Sequence, residues 1–195
     1  SKMGLALTAV GNHEFDEGWQ ELRRMQDGGC HPVDGCKGPT AFKGAAFQYL
    51  AASTYLENGD TLFPSYAIRE FSGVKVGFIG LTLEGTPDVI TPAARAGITF
   101  KDEAETVNAL VPKLRSQGVE AIVVLIHEGG YTTSALDDCH GLSGTIAENV
   151  PKFDKAVDVV VTGHTNGIYI CTVDGRLVTS AGAYGTRVTD ISVLL

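Results

Sequence analysis

Three short apolar segments, each ending in a cluster of glycine and polar residues, constrain the fold of this 195-residue chain more than any other feature. Segments 5–10, 121–126 and 157–161 are almost continuously aliphatic, which is typical of strands buried on both faces of a sheet. They run into Gly11-Asn12-His13-Glu14-Phe15-Asp16, His127-Glu128-Gly129-Gly130 and Gly163-His164-Thr165-Asn166. Because ligands bind beyond the carboxyl ends of such strands in α/β sheets, the sequence predicts that the three clusters form one site.

The other segments complete an α/β pattern. Apolar residues at helical spacing predict a helix over 102–117, with Asp102 and Glu105 as capping residues and a kink or restart at Pro112. A shorter helix over 17–25 is predicted to begin at Asp16. The remaining strands are expected at 47–52, at 65–71 and 74–83 as a hairpin at a sheet edge, at 168–173 and 176–181 around an Asp174-Gly175 turn, and at 187–195.

Composition narrows the function classes. With 44% hydrophobic and 19% charged residues, the chain has the composition of one globular domain. Its net charge of −8, without a basic stripe, argues against a nucleic-acid polymer as partner. The longest apolar run, 121–126, is far shorter than the ~20 residues that span a bilayer, so no membrane span is expected.

The four cysteines fall into a close and a distant pair. Cys30 and Cys36 flank a turn-rich loop that a disulfide could close, and a second bridge could join Cys139 to Cys171. Two alternatives for the loop stay open: a metal site built from Cys30, His31, Asp34 and Cys36, or two free thiols. The disulfide interpretation predicts an oxidising, extracytoplasmic location.

The three clusters at the strand ends offer histidine, asparagine and nearby carboxylates but no cysteine. This donor set suits borderline to hard divalent metals such as Mn, Zn, Fe or Mg. A single histidine at the end of a buried strand is usually structural. Three such clusters with flanking glycines, which let the backbone approach an ion or a phosphate, are hard to obtain by coincidence.

These motifs resemble the calcineurin-like metallophosphoesterases, specifically the catalytic domain of the secreted bacterial-type 5′-nucleotidase family. The resemblance rests on the Gly11–Asp16 hexapeptide, on His127 with Gly129-Gly130, and on Gly163-His164-Thr165. It implies an α/β fold, the α/β/β/α sandwich, over residues 1–195. Residues 181–185 resemble the last strand before the family's second domain. We therefore expect a catalytic domain whose first strand and helix, and whose C-terminal nucleotide-binding domain, are absent from this sequence.

The resemblance also implies roles for individual residues around two divalent metal ions. Asn12, His127 and His164 would bind one ion, and Asn166 stands where relatives place a histidine or glutamine for the other. His13 would stabilise charge developing on the phosphoryl or leaving group, with Asp16 orienting it and favouring its protonated form. Contacts with the substrate are expected from Asn12, His13, Gly129 and Gly130.

The implied function is hydrolysis of phosphate esters, above all nucleoside 5′-monophosphates, by metal-bound hydroxide. The alternatives are a cyclic-nucleotide phosphodiesterase, a nucleotide-sugar hydrolase, or a non-catalytic domain that binds a nucleotide or partner. In the family an Asp-x-His and a Gly-Asp motif precede the hexapeptide, whereas residues 1–11 contain no Asp, Glu or His. We therefore expect this chain alone to hold at most one ion, weakly, and to be inactive, with an exposed sheet edge that favours self-association.

Overall fold

The structure, a computed structural model, describes residues 3–133 and 139–194. The helices are α1 (Trp19–Asp27), α2 (Thr86–Val89), α3 (Glu103–Ser116) and α4 (Thr145–Asn149), and 3₁₀ turns cover Asn12–Phe15 and Val150–Lys152. The strands are β1 (Leu7–Ala9), β2 (Gln48–Leu50), β3 (Thr54–Leu56), β4 (Tyr66–Phe71), β5 (Val74–Thr82), β6 (Ile98–Phe100), β7 (Val119–His127), β8 (Val159–Val161), β9 (Ile168–Val173) and β10 (Arg176–Ala181).

A six-stranded mixed sheet forms the centre of the molecule, in the order β4-β5-β7-β8-β10-β9. The four inner strands run parallel, and the two edge strands are antiparallel to their neighbours. The predicted hairpin therefore lies at a sheet edge, as expected. A second turn joins β9 to β10, and both Asp174 and Gly175 adopt positive φ there, as the predicted turn type requires. The prediction of an α/β fold is confirmed.

Helix α3 covers one face of this sheet. Val107, Val111 and Leu114 lie in the same buried cluster as β-strand residues such as Ile79 and Ile122. Asp102 caps the helix by accepting a hydrogen bond from the Glu105 amide at 2.7 Å. The helix is uninterrupted to Ser116, so the predicted restart at Pro112 is wrong. Both Pro112 and Asn108, whose carbonyl loses its helical partner, are exposed, and water can replace the missing hydrogen bond.

A smaller layer carries the hexapeptide. Strands β1 and β2 pair in parallel, with Leu7 opposite Gln48, and β1 contacts β5 and β7. A second buried cluster that includes Val10, Phe15 and Leu22 holds this layer to α1. The polar segment that follows β1 is thereby placed beside the end of β7.

Two sequence predictions need correction. Helix α1 begins at Trp19 after Gly18, whose φ is 86°, and Asp16 instead follows the 3₁₀ turn. Within the described residues 182–194 no strand forms, although 187–195 was predicted as one. Ile191 and Val193 instead line an apolar groove on the six-stranded sheet, where they contribute side-chain packing without ladder hydrogen bonds.

Both predicted disulfides are present, Cys30 with Cys36 and Cys139 with Cys171, with Cα–Cα distances of 4.5 and 4.9 Å. The loop metal site and the free thiols are therefore not what the structure shows. Across residues 3–133 and 139–194, none of the helices combines the length and the hydropathy that crossing a bilayer would require.

Candidate metal and phosphate site

The three predicted clusters meet at the carboxyl ends of β1, β7 and β8. Asn12 is the first residue of the 3₁₀ turn after β1 and is only 2% exposed. His127 is the last residue of β7, and His164 lies in the loop that follows β8. Residues that are more than 100 positions apart in the chain are thereby brought into direct contact.

One amide oxygen is the centre of the arrangement. Asn12 Oδ1 lies 2.9 Å from His127 Nε2 and 3.1 Å from His164 Nδ1. The two imidazole rings meet edge to face, with centroids 5.2 Å apart. Both contacts are hydrogen bonds to the amide oxygen. Ligand atoms that bind one ion at about 2.0–2.2 Å also lie about 3 Å apart, so these three atoms are close enough to share an ion.

Both imidazoles are held in the neutral form. Burial, together with smaller contributions from the neighbouring His164 and His13, lowers the pKa of His127 to about 4. The pKa of His164 is also lowered, first by burial and then by His13. Neutral imidazole is the form that binds a metal, so the site is prepared for a cation without first losing a proton.

Glycine is required where the loops pack against these histidines. A Cβ on Gly11 would lie 2.8 Å from His127 Cε1, and one on Gly129 would collide with the Gly163 carbonyl oxygen. The Gly11 amide donates a 2.6 Å hydrogen bond to Glu14 Oε2, which closes the turn that presents Asn12. Close backbone approach therefore explains the glycines beside the site.

The loops after β7 and β8 are also joined to each other. Thr165 Oγ1 donates to the Gly130 carbonyl at 2.8 Å, and the Gly163 amide donates to the Glu128 carbonyl at 3.1 Å. Between these bonds His164 adopts a φ of 62°, a left-handed conformation that is uncommon for a residue with a side chain. Such strain persists only where surrounding contacts fix it, as they do here.

His13 and Asp16 form an exposed pair next to this buried group. His13 Nδ1 lies 3.0 Å from Asp16 Oδ2, and the two side chains are 78% and 52% exposed. The pairing that was predicted from the hexapeptide is thus present. Its position at the surface leaves the imidazole accessible to a ligand.

The other predicted site residues differ in their surroundings. Asn166 is exposed and has a φ of 58°. Gly129 and Gly130 are buried, and the Gly129 amide donates to Glu128 Oε1 at 2.8 Å. The structure gives these two glycines a packing role, and direct contact with substrate remains a prediction.

Two carboxylate features were not predicted as parts of the site. Glu128 is 3% exposed, its Oε2 has no hydrogen-bond partner among the described residues, and burial raises its pKa.

The second feature is an acidic cluster. Oxygens of Glu84, Asp102 and Glu103 lie within 4.8 Å of one another. However, Asp102 caps α3, and Glu103 accepts hydrogen bonds from the Glu84 amide and the Asn149 side chain. These contacts give the acidic cluster a structural role.

The donor atoms of Asn12, His127 and His164 fit a divalent metal. Two neutral imidazole nitrogens and one amide oxygen, with no thiolate, match the preferences of borderline ions.

Comparison with known proteins agrees with these features, although no protein-family model matches the chain. Endonuclease YhcR of Bacillus subtilis is 33% identical over 192 residues, which are 98% of this chain and 15% of that protein. Cell wall protein Lmo0130 of Listeria monocytogenes is 32% identical over 86% of this chain and 23% of its own length. A 5′-nucleotidase of Diplobatis ommata is 32% identical over 84% of this chain and 24% of its own length.

The fold has solved counterparts. The calcineurin-like phosphoesterase YfkN of Bacillus subtilis superposes with a TM-score of 0.71 at 22% identity, covering 93% of this chain and 55% of that one. The chain spans between about one seventh and one quarter of the curated relatives described above. Sequence similarity across most of this chain, the shared fold and the converging strand ends lead to one conclusion. The chain belongs to the metallophosphoesterases of the 5′-nucleotidase family.

Proposed function

We propose that this domain serves the metal-dependent hydrolysis of nucleotide phosphate esters, with nucleoside 5′-monophosphates as the substrate class. The observation that carries the proposal is the contact of Asn12 Oδ1 with two neutral imidazoles at 2.9 and 3.1 Å. Relatives of this chain named 5′-nucleotidase support the substrate class. A small anionic ester also suits a chain with a net charge of −8 better than a polymeric nucleic acid does.

Asn12, His127 and His164 would hold one divalent ion, and Asn166 is the proposed contributor to a second. Zn, Mn, Fe and Mg are compatible with oxygen and imidazole ligands, and the residues do not select among them. When bound, such an ion would supply a Lewis acid that neutralises phosphate charge and lowers the pKa of the attacking water, which makes it a better nucleophile at neutral pH.

His13 is the proposed catalytic side chain of this protein. Because Asp16 occupies Nδ1 at 3.0 Å, the Nε2 atom is left to donate to a phosphoryl or leaving-group oxygen. Asp16 would act through His13 by fixing the orientation of the imidazole, so that Nε2 faces the developing negative charge. Both side chains are exposed enough to meet a substrate without rearrangement of the core.

The location follows from the two disulfides and from the cell-wall relative, and we propose an extracytoplasmic setting. Self-association through an exposed edge strand remains a prediction. Strands β4 and β9 are the edges of the described six-stranded sheet that could pair with another chain.

The test combines Mn²⁺ binding with phosphate release from AMP. Asn12→Ala removes the central ligand, and Asn58→Ala is its matched control in an exposed loop. We expect one weakly held Mn²⁺ ion per chain and little phosphate release, because residues 1–11 contain no Asp, Glu or His. Mn²⁺ affinity should fall about a hundredfold or more, and any release should be lost, in Asn12→Ala and His127→Ala, whereas Asn58→Ala should keep both. An unchanged Mn²⁺ affinity, or phosphate release, in Asn12→Ala would contradict the proposal.

A non-catalytic nucleotide-binding domain is the alternative. Such a domain would bind AMP beside Asn12, His127 and His164 without metal, so AMP binding in EDTA that His127→Ala abolishes would favour it. A cyclic-nucleotide or nucleotide-sugar substrate would use the same ligands, so parallel assays with those esters decide the substrate class.

A further inference from the structure

A cavity of about 640 Å³ lies between the end of α1 and the loop over residues 29–43. Its lining does not include Asn12, His127 or His164, so it is separate from the candidate site. Its volume is in the range of small-molecule sites. Nothing in the hydrolytic function proposed above uses it.

The charge of this cavity is opposite to that of the protein. Its lining includes Arg24, Lys37 and Lys43, and none of its lining residues is Asp or Glu. The whole chain carries 23 acidic and 15 basic residues. A cationic lining in an acidic protein is a local feature that would attract an anion.

The two lysines are available for a ligand, whereas the arginine is already engaged. Arg24 Nε donates to Glu21 Oε2 at 2.7 Å, and Nη1 donates to the Gly29 carbonyl at 2.8 Å. In the described part of the chain, neither Lys37 nor Lys43 has an ion-pair or hydrogen-bond partner. Glu21, the carboxylate beside the cavity, is neutralised by Arg24 and does not offset the lysine charges.

Apolar groups in the lining supply a second kind of contact. Phe42 is 42% exposed and Met25 is 39% exposed, which is unusual for side chains of this size. The Arg24 guanidinium carbon lies 5.8 Å from the Phe42 ring centroid and holds the ring in place. A ligand that is only a small inorganic anion would leave this apolar surface unused.

Covalent and backbone links fix the loop. The Cys30–Cys36 disulfide and a 2.9 Å bond from the Gly35 amide to the His31 carbonyl close the part before Lys37. The Gly29 amide donates to the Phe42 carbonyl at 2.7 Å, which ties the residue before Lys43 to the end of α1. A preformed site loses less conformational entropy when a ligand binds.

We propose that this cavity is a second binding site, which takes a small phosphate ester with an apolar or aromatic group. Lys37 and Lys43 bind the phosphate through charge and N–H donors, while Phe42 and Met25 pack against the organic part. The site binds without cleaving, because its lining contains no carboxylate and its only histidine, His31, accepts a hydrogen bond from the Asp34 amide.

The experiment is calorimetric titration of the chain with AMP in EDTA, so that binding is measured without metal-dependent hydrolysis. Inorganic phosphate and adenosine are titrated in parallel to separate the anionic and the organic contributions. Lys37→Glu/Lys43→Glu is the test variant. Lys101→Glu/Lys113→Glu is the matched control, since it makes the same charge change at exposed lysines outside the cavity.

We expect AMP to bind more tightly than phosphate or adenosine, and the Lys37→Glu/Lys43→Glu variant to weaken that binding about tenfold or more. The Lys101→Glu/Lys113→Glu control and His127→Ala should bind AMP like the original chain. Equal weakening by both lysine pairs, or absence of AMP binding, would overturn the proposal. Loss of binding in His127→Ala would assign the AMP to the candidate hydrolytic site instead. Phosphate binding as tight as AMP would overturn the assignment to an ester. None of these outcomes depends on whether the chain hydrolyses AMP.

Discussion

Asn12 and His13 are neighbours in the chain but lie in opposite environments. Asn12 is 2% exposed and contacts two half-buried histidines, whereas the His13 side chain is 78% exposed and pairs with an exposed carboxylate. One short segment therefore supplies both a buried donor set for a cation and an exposed pair for a substrate. The comparison shows how a small turn can divide two chemical tasks between adjacent residues.

The 3₁₀ turn over residues 12–15 is the physical cause of this division. With three residues per turn, side chains at i and i+3 point the same way. Asn12 and Phe15 are buried together, and His13 and Asp16 lie together on the outside. An α-helix has about 3.6 residues per turn, so at this position the two side chains of each pair would point in different directions.

Removal of a buried ligand is expected to have the largest effect. His127→Ala deletes one of the two imidazoles. We expect Mn²⁺ affinity to fall about a hundredfold or more, because loss of a residue that only hydrogen-bonds to a metal ligand already costs about 10–100-fold. His13→Ala should leave the affinity unchanged, because His13 is not in the donor set. Equilibrium dialysis of both variants measures the Mn²⁺ affinity. An equal loss of affinity in the two variants would show that His13 also belongs to the metal site.

The second prediction concerns the packing between the loops that follow β7 and β8. In Gly129→Ala the new methyl group meets the Gly163 carbonyl oxygen, and we expect a loss of about 3 kcal/mol in the free energy of unfolding. Gly38→Ala is the control, because the nearest atom to its added Cβ is 3.8 Å away. Urea denaturation compares the two variants. A Gly129→Ala chain as stable as Gly38→Ala would show that the loops are not packed as described.

The lowered pKa of His127 makes the stability of the folded chain depend on pH. The pKa of His127 is lowered from 6.5 to about 4 in the folded chain, so the unfolded chain binds more protons between those values. Stability of the metal-free protein is therefore fully present above pH 6.5 and is lost as the pH falls towards 4, by on the order of 2–3 kcal/mol.

One variant locates the origin of that loss. His127→Gln should flatten the dependence of unfolding free energy on pH over this range. Denaturation curves at several pH values provide the measurement. An unchanged slope in His127→Gln would mean that another group carries the effect.

The smallest change in stability is expected for the exposed pair of His13 and Asp16. Asp16→Asn removes the charge beside His13, and we expect the free energy of unfolding to change by less than about 1 kcal/mol, as for other exposed ion pairs. Mn²⁺ affinity should also be unaffected. Thermal unfolding with a parallel metal titration checks both, and a large loss of stability would indicate that Asp16 supports the fold.

The sequence predicted the parts of this molecule that depend on local pattern. Aliphatic runs identified β7 and β8, and the polar residues that end them identified His127 and His164. The position of Asp16 was misjudged, because a capping residue and the end of a 3₁₀ turn share the same residue preferences. Residues 187–194 have strand-like alternation, but pairing depends on a neighbouring strand that the local pattern does not specify.

Features that depend on tertiary contacts were not accessible from the sequence. The unpartnered oxygen of Glu128 results from burial under loops that the sequence does not locate. Lys37 and Lys43 are separated in the chain by five residues and form no visible charge run, so their common cavity appears only once the disulfide loop is folded.

X-ray absorption at the zinc edge, on the chain loaded with one equivalent of Zn²⁺, identifies the ligands of the bound ion. We expect two imidazole nitrogens and oxygen ligands at about 2.0–2.2 Å, and loss of one imidazole in His127→Ala. A spectrum with no imidazole, or one that His127→Ala leaves unchanged, would contradict the assignment of Asn12, His127 and His164 as a metal site.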